Sequence, residues 1–95
     1  MTDWFVTRHK GAAEWALGQG IAARLVSHLD TATLTPGDRV LGTLPVSLAC
    51  EVCEKGARYL HLTLNVPEAM RGRELSAEDM TRLGARLEEF NVGRV

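Results

Sequence analysis

Short, almost continuously apolar segments alternate with segments of helical periodicity along this 95-residue chain. The apolar segments carry the leucine, β-branched and aromatic residues that strands prefer, over residues 3–7, 23–29, 39–44 and 57–64. Helical spacing predicts helices over 11–20, 45–56 and 76–90. Strands that are apolar on both faces are typical of a parallel sheet covered by helices. The order β-α-β-β-α-β-α therefore predicts an α/β, Rossmann-like single domain over residues 1–95, with a mostly parallel sheet flanked by helices.

Turn and cap residues set the expected helix ends. Pro45 is suited to the first position of the second helix, where a missing N–H costs nothing. Ser76 is the expected N-cap of the last helix. Leu87 and Phe90 extend the apolar spacing of that helix past Gly84, so the prediction carries it to residue 90.

Composition limits the classes of function. Hydrophobic residues make up 45% of the chain and charged residues 24%, the balance of a folded domain. The formal net charge is −1, which excludes a general basic field for duplex nucleic acid, so any anion site has to be local. No apolar run approaches the ~18 residues of a membrane span, and the N-terminus lacks a secretory signal. These features predict a cytoplasmic protein with reduced cysteines.

Polar side chains cluster where the predicted strands end. In parallel sheets, ligands bind beyond the carboxyl ends of the strands, where helix N-termini also point. The residues at these exits are Thr7, Arg8, His9 and Lys10, then His28 and Asp30, then Gly42, Thr43, Pro45 and Ser47, and finally Thr63 and Asn65. Arginine binds phosphate through a planar fork, lysine adds a point charge, and hydroxyl and backbone N–H groups complete the shell. The set therefore favours an anionic, phosphate-bearing ligand.

Structural alternatives stand beside each of these assignments. Arg8, His9 and Lys10 could form a solvated loop. For His28 and His61, which fall within predicted strands, the default is a packed, hydrogen-bonded core histidine. The chain has no GxxxxGK[ST] loop, and its only GxG closes a helix, so neither phosphate-loop fingerprint is supported.

Two further groups could carry metal or redox chemistry. Cys50 and Cys53 form a CxxC, but in mid-helix, away from the helix start that activates thiols, so we expect structural cysteines. His9, His28 and Asp30 could converge on a metal, although no spacing enforces it.

With these residues in place, the chain resembles the small CRISPR-associated proteins of type III loci that share a CARF-like Rossmann fold. The resemblance spans nearly the whole chain. Its most specific parts are an [ST]RH-x-GA junction at residues 7–12, a GTLP-V turn at 42–46, and the strand "ARYLHL". Lys10 departs from the family pattern, in which proline is common at this place.

The resemblance implies a ring nuclease: a homodimer that binds cyclic tetra-adenylate, the second messenger of type III immunity, across its two-fold axis. Cleavage to linear di-adenylates with 2′,3′-cyclic phosphate would switch off the antiviral signal. Each ribose 2′-hydroxyl can attack its adjacent phosphodiester, so no metal or other cofactor is needed. Arg8 and His9 are the expected catalytic residues, for phosphoryl charge and proton transfer. The expected ligand-binding residues are Thr7, Lys10, Gly42, Thr43, Pro45, Ser47 and Asn65.

Two other classes of function stay open at this stage. The first is a binding module that captures the cyclic ligand without cutting it, as a sponge or sensor. The second is a structural subunit or adaptor with no nucleotide site. Binding and cutting would share the same phosphate-holding residues, so the sequence separates them poorly.

Overall fold

A computed structural model describes residues 1–95 as five strands and three α-helices. The elements are β1 (Asp3–Val6), α1 (Lys10–Gly18), β2 (Arg24–Val26), β3 (Arg39–Gly42), α2 (Val46–Glu54), β4 (Arg58–Thr63), α3 (Ala77–Arg82) and β5 (Arg86–Phe90), with 3₁₀ turns at Thr31–Thr33 and Glu68–Met70. The four predicted strands and the first two helices are confirmed, with shorter bounds. None of the helices is long and apolar enough to cross a membrane.

The strands form one sheet in the order β2-β1-β3-β4-β5, in which β5 alone runs antiparallel to its neighbour. This confirms the predicted α/β class, a mostly parallel sheet flanked by helices, and is compatible with a Rossmann-like fold. The chain leaves β1 for one edge through α1 and leaves β3 for the other edge through α2. The strand order therefore reverses between β1 and β3, the switch point where open α/β sheets bind ligands.

The last helix begins after its predicted N-cap, Ser76, but its predicted end at residue 90 was wrong. That helix ends at Arg82, and residues 86–90 form β5 instead. Gly84 adopts φ +74°, and Ala85 N–H bonds back to the Met80 carbonyl, which closes the helix in a Schellman-type turn. Leu87 fits both patterns, since helical spacing from Met80 and strand alternation both turn it towards the core.

Two hydrophobic cores lie on opposite faces of the sheet. Trp15 and Met80 pack from α1 and α3 onto one face, together with Leu62, and the partly buried Leu60 and Leu64 point the same way as predicted. The other face packs against α2, with a core formed by Leu34, Val40, Ala49, Val52, Ala57 and Tyr59. Through these two cores, α1 and α2 pack on opposite faces of the sheet.

Gly11 allows α1 to start against the loop that precedes α3. A Cβ built on Gly11 would lie 1.8 Å from the Leu75 carbonyl oxygen and 3.2 Å from the Ser76 carbonyl carbon. The clash is with backbone, which cannot rotate away as a flexible side chain could. Glycine at this position is therefore required by packing between the first helix and the Leu75–Ser76 segment.

We expect Gly11→Ala to destabilise the fold by about 1–3 kcal/mol or more, because overpacking forces backbone to move. Gly18→Ala in the same helix is the matched control, because a Cβ built on Gly18 would meet nothing within 4 Å beyond its own helix backbone. It should change stability by no more than about 1 kcal/mol, in the stabilising direction. Urea unfolding of both variants measures the contrast, and equal midpoints would contradict the packing argument.

Asp38 ties the start of β1 to the turn before β3. Its buried carboxylate accepts hydrogen bonds from the Thr2 N–H at 2.8 Å, the Thr35 N–H and hydroxyl at 3.0 Å each, and the Trp4 indole at 3.4 Å. The hydrogen bonds from the Thr2 and Thr35 backbone lower the pKa of Asp38 from 3.8 to about 2. The hydrogen bonds of the folded state therefore stabilise the ionised form of Asp38.

Because this pKa is lowered on folding, the carboxylate stabilises the fold fully above its ordinary pKa of 3.8, and that contribution is lost as pH falls towards about 2. Asp38→Asn should lower the melting temperature at pH 7. The difference in melting temperature between this variant and wild type should become smaller between pH 4 and pH 2. Thermal melts followed by circular dichroism measure it, and a gap that stays constant down to pH 2 would count against the assignment.

The Tyr59 hydroxyl holds the turn between β3 and α2. It accepts the Leu44 N–H at 2.9 Å, lies 3.2 Å from the Gly42 carbonyl oxygen, and lies 2.6 Å from His61 Nδ1. All three bonds are satisfied at once when Nδ1 carries the ring hydrogen of His61 and Tyr59 donates to Gly42. Burial raises the pKa of this phenol. The expectation of a packed, hydrogen-bonded histidine is confirmed for half-buried His61.

Tyr59→Phe should leave the Leu44 N–H without its acceptor, at a cost of about 1–3 kcal/mol. Amide hydrogen exchange at Leu44 should speed up more than at Ala49, which lies beyond the turn in the buried face of α2. Exchange measured by NMR tests this directly. Equal effects at the two amides would show a general loss of stability instead of a local role in the turn.

Candidate functional site

A cleft of about 820 Å³ opens at the carboxyl ends of the parallel strands. Its floor is apolar and its rim is polar. Apolar lining comes from both sides of the switch point, including Phe5, Val6, Leu44, Leu48, Leu62, Leu64, Leu75 and Met80. Polar lining comes from Thr7, Arg8, His9, Ser27, His28, Thr43 and Arg73. The cleft thus lies where the sequence placed a ligand site.

Most of the predicted site residues meet in this cleft. They come from the exits of β1 and β3, which are adjacent strands, and are Thr7, Arg8, His9, Gly42, Thr43 and Pro45. Arg8 and His9 follow the end of β1 at Val6, so the chain has left the strand and both side chains reach the cleft. The segment after β1 and the GTLP turn after β3 therefore line the same cleft.

Three predicted ligand-binding residues do not line the cleft. Lys10 begins α1 with an exposed side chain that pairs with Glu14 one turn later, at 3.8 Å. Ser47 is exposed in the first turn of α2. Asn65 is exposed beyond the end of β4, where its backbone N–H donates to the Leu83 carbonyl.

Two cationic or titratable residues of the cleft, His28 and Arg73, were not among the expected ligand-binding residues. The default of a core histidine is wrong for His28, which is exposed because β2 ends two residues earlier, at Val26. Its position at the exit of the predicted second strand had already indicated that it could lie near the cleft. Arg73 lines the cleft from the long loop between β4 and α3. No sequence pattern predicts that this loop folds back to the cleft.

Parallel pairing sets Arg8 beside His28. Val6 lies opposite Val26 in the register of β1 and β2, and the Thr7 N–H continues the ladder by bonding to the Val26 carbonyl at 2.9 Å. Arg8 follows Val6 by two residues, and His28 follows Val26 by two residues. Arg8 Nη2 consequently lies 3.5 Å from His28 Nδ1.

Two helix N-termini point their free N–H groups towards the cleft. The N-caps of α1 and α2 are His9 and Pro45, neither of which supplies a side-chain hydrogen bond, and neither helix has an acid in its first turn. In α3, by contrast, Ser76 and Asp79 form a capping box that uses its N–H groups. Uncapped N–H groups and the helix dipole both favour a bound anion.

The charge of the cleft differs from that of the whole chain. Its lining contains two arginines and two histidines but no aspartate or glutamate, although the chain carries a net charge of −1. Glu74 Oε1 lies outside the lining, 3.5 Å from His9 Nδ1, with both side chains largely exposed. The local cationic site required by the sequence argument is present here.

The hydroxyl groups of the cleft are partly committed to the fold. Thr7 Oγ1 accepts the His9 N–H at 3.1 Å, which shapes the turn into α1. Thr43 Oγ1 donates its hydrogen to the Leu62 carbonyl at 3.1 Å, so it presents lone pairs to a ligand. Thr43 is thus suited to accept a hydrogen bond from a ribose hydroxyl instead of donating one to a phosphate.

The remaining candidates have structural partners. Asp30 accepts the Ala32 N–H at 3.0 Å as the cap of a 3₁₀ turn, and no three histidine, cysteine or acidic side chains form a metal-binding group. Both cysteines are free: Cys50 is buried, and Cys53 Sγ accepts the Val92 N–H at 3.4 Å. The sequence grouping of His9, His28 and Asp30 is therefore not assembled.

A comparison with known families supports the CRISPR association that the resemblance implied. The family described as "Putative CRISPR-associated protein (Cas_VVA1548)" matches residues 4–93, which include both junctions at the cleft. No curated protein and no solved structure matches the chain. The chain belongs to this family of CRISPR-associated proteins.

Proposed function

We propose that this protein is a ring nuclease that binds cyclic tetra-adenylate and cleaves its phosphodiesters, which ends the antiviral signal of type III CRISPR immunity. One observation carries the proposal: an acid-free cleft at the switch point, lined by Arg8, His9 and His28 between two uncapped helix N-termini. A phosphodiester supplies the negative charge that this cleft lacks. Membership of a CRISPR-associated family supplies the biological setting.

The chemistry needs little beyond what the cleft offers. A ribose 2′-hydroxyl attacks the adjacent phosphorus in line with the leaving 5′-oxygen, which yields a 2′,3′-cyclic phosphate and a 5′-hydroxyl. Arg8 and the helix N–H groups stabilise charge on the phosphoryl oxygens. His9 transfers a proton, a role typically worth about 10²–10⁴ in rate. Two cuts per ring would give linear di-adenylates.

The size of the cleft favours a shared ligand. A cleft of about 820 Å³ lies within the range that encloses one drug-sized ligand. A four-nucleotide ring is larger, so a homodimer whose two clefts face each other would hold one half of the ring in each protomer. A two-fold axis would then present Arg8, His9 and His28 twice to a ligand that is itself symmetric.

The decisive experiment incubates the protein with labelled cyclic tetra-adenylate and separates the products by chromatography. Wild type should yield linear adenylates ending in 2′,3′-cyclic phosphate. His9→Ala should slow single-turnover cleavage by at least ~10²-fold while binding is largely kept. Arg8→Ala should weaken both cleavage and binding, because its guanidinium holds the phosphate in both states.

Arg71→Ala is the matched control for the arginine variant, since Arg71 is exposed and does not line the cleft. It should cleave at the wild-type rate. A ring that is bound but still intact after many hours would leave only a sponge or sensor. No binding and no cleavage, with folded wild type, would leave an adaptor without a nucleotide site.

A further inference from the structure

We propose that His28 is the general base that removes the 2′-hydroxyl proton, and that His9 is the acid that protonates the leaving 5′-oxygen. This rests on the proposed function and assigns its two proton transfers. Both imidazoles line the cleft, one at the exit of β2 and one at the exit of β1, and the Arg8 guanidinium lies beside His28. An in-line displacement needs its base and its acid on opposite sides of the phosphorus.

The contact with Arg8 identifies the basic atom of His28. A guanidinium only donates hydrogen bonds, so His28 Nδ1 accepts through its lone pair and carries no hydrogen. At 3.5 Å this contact is at the outer limit of a hydrogen bond. A phosphate oxygen would bind the guanidinium at ~2.7–2.9 Å and replace it. The Nδ1 lone pair is then free directly beside the bound phosphate, where the attacking hydroxyl lies.

The contact with Glu74 gives His9 the opposite role. Glu74 Oε1 lies 3.5 Å from His9 Nδ1, a distance at which the two groups form an ion pair when the imidazole carries both hydrogens. In the doubly protonated ring, Nε2 then has a hydrogen to donate. Two histidines with opposite neighbours, one a donor and one an acceptor, are the arrangement expected of a base and an acid.

His28 Nδ1 takes the proton from the 2′-hydroxyl while the O2′–P bond forms and the P–O5′ bond breaks. O5′ keeps the bonding pair and receives the proton from His9 Nε2. His28 ends the step protonated and His9 neutral, and exchange of one proton each with solvent restores both.

Replacing the leaving 5′-oxygen by sulfur separates the two roles, because a thiolate leaves without being protonated. The probes are cyclic tetra-adenylate and the same ring with one 5′-bridging phosphorothiolate. His28→Ala should be slower than wild type by at least ~10²-fold on both rings. His9→Ala should be slow on the oxygen ring and should approach wild type, to within about tenfold, on the sulfur ring.

His28→Gln is the second variant, which keeps a polar side chain of similar reach but cannot take the proton. It should be as slow as His28→Ala, and both should bind a non-cleavable 2′-O-methyl ring nearly as tightly as wild type. His28 variants that cleave at the wild-type rate, or that sulfur restores, would overturn the assignment alone. A folded wild type that leaves the oxygen ring intact would instead overturn the proposed function.

Discussion

The close approach of β3 to β1 at Gly42 is the constraint on which the site depends. Gly42 has φ +145°, and a Cβ there would lie 2.6 Å from the Val6 carbonyl oxygen. Any side chain would separate the two central strands at the point where their direction of connection reverses. Because the strands stay in contact to their ends, the segments that follow, Thr7–His9 and Thr43–Pro45, open into one cleft. The shared cleft is a consequence of this backbone contact.

The two ends of the sheet handle charge in different ways. At the amino ends of the strands, Arg39 pairs with Asp3, and Arg58 donates to Glu89 on the antiparallel edge strand. Hydrogen bonds in these pairs lower the pKa of both carboxyls. At the carboxyl ends, the lining of the cleft contains no acid, and only His9 has a carboxylate beside it. Arginines are thus paired with carboxylates at the amino ends of the strands. At the carboxyl ends, the arginines of the cleft have no carboxylate partner, although the chain is nearly neutral overall.

Local patterns were sufficient to predict the four parallel strands and the position of the cleft. Each parallel strand has a strong apolar signal, and the carboxyl-end rule then groups Arg8 with Thr43 without further information. The last element failed because Leu87 satisfies both helical and strand spacing, and the left-handed turn at Gly84 decided between them. Apolar periodicity alone carries no information about that turn.

The positions of the remaining cleft residues depend on strand register and loop folding, which the local sequence does not determine. His28 leaves the core because β2 pairs for only three residues, which depends on the register with β1. Arg73 enters the cleft through the fold of a long loop. Asn65 follows β4 as the pattern suggested, but its backbone is held by Leu83 and its side chain stays outside. Exit position predicts which side chains approach the mouth, and tertiary packing decides which of them face it.

One consequence follows from where the cleft's groups originate. Arg8 and His9 follow β1 and His28 follows β2, whereas the opposite wall, including Thr43 and Leu48, belongs to the β3-α2 half. The two walls of the cleft thus come from separate halves of the fold, which meet between β1 and β3. Substitutions in the β3-α2 half could therefore reshape the cleft while the spacing of Arg8, His9 and His28 stays the same.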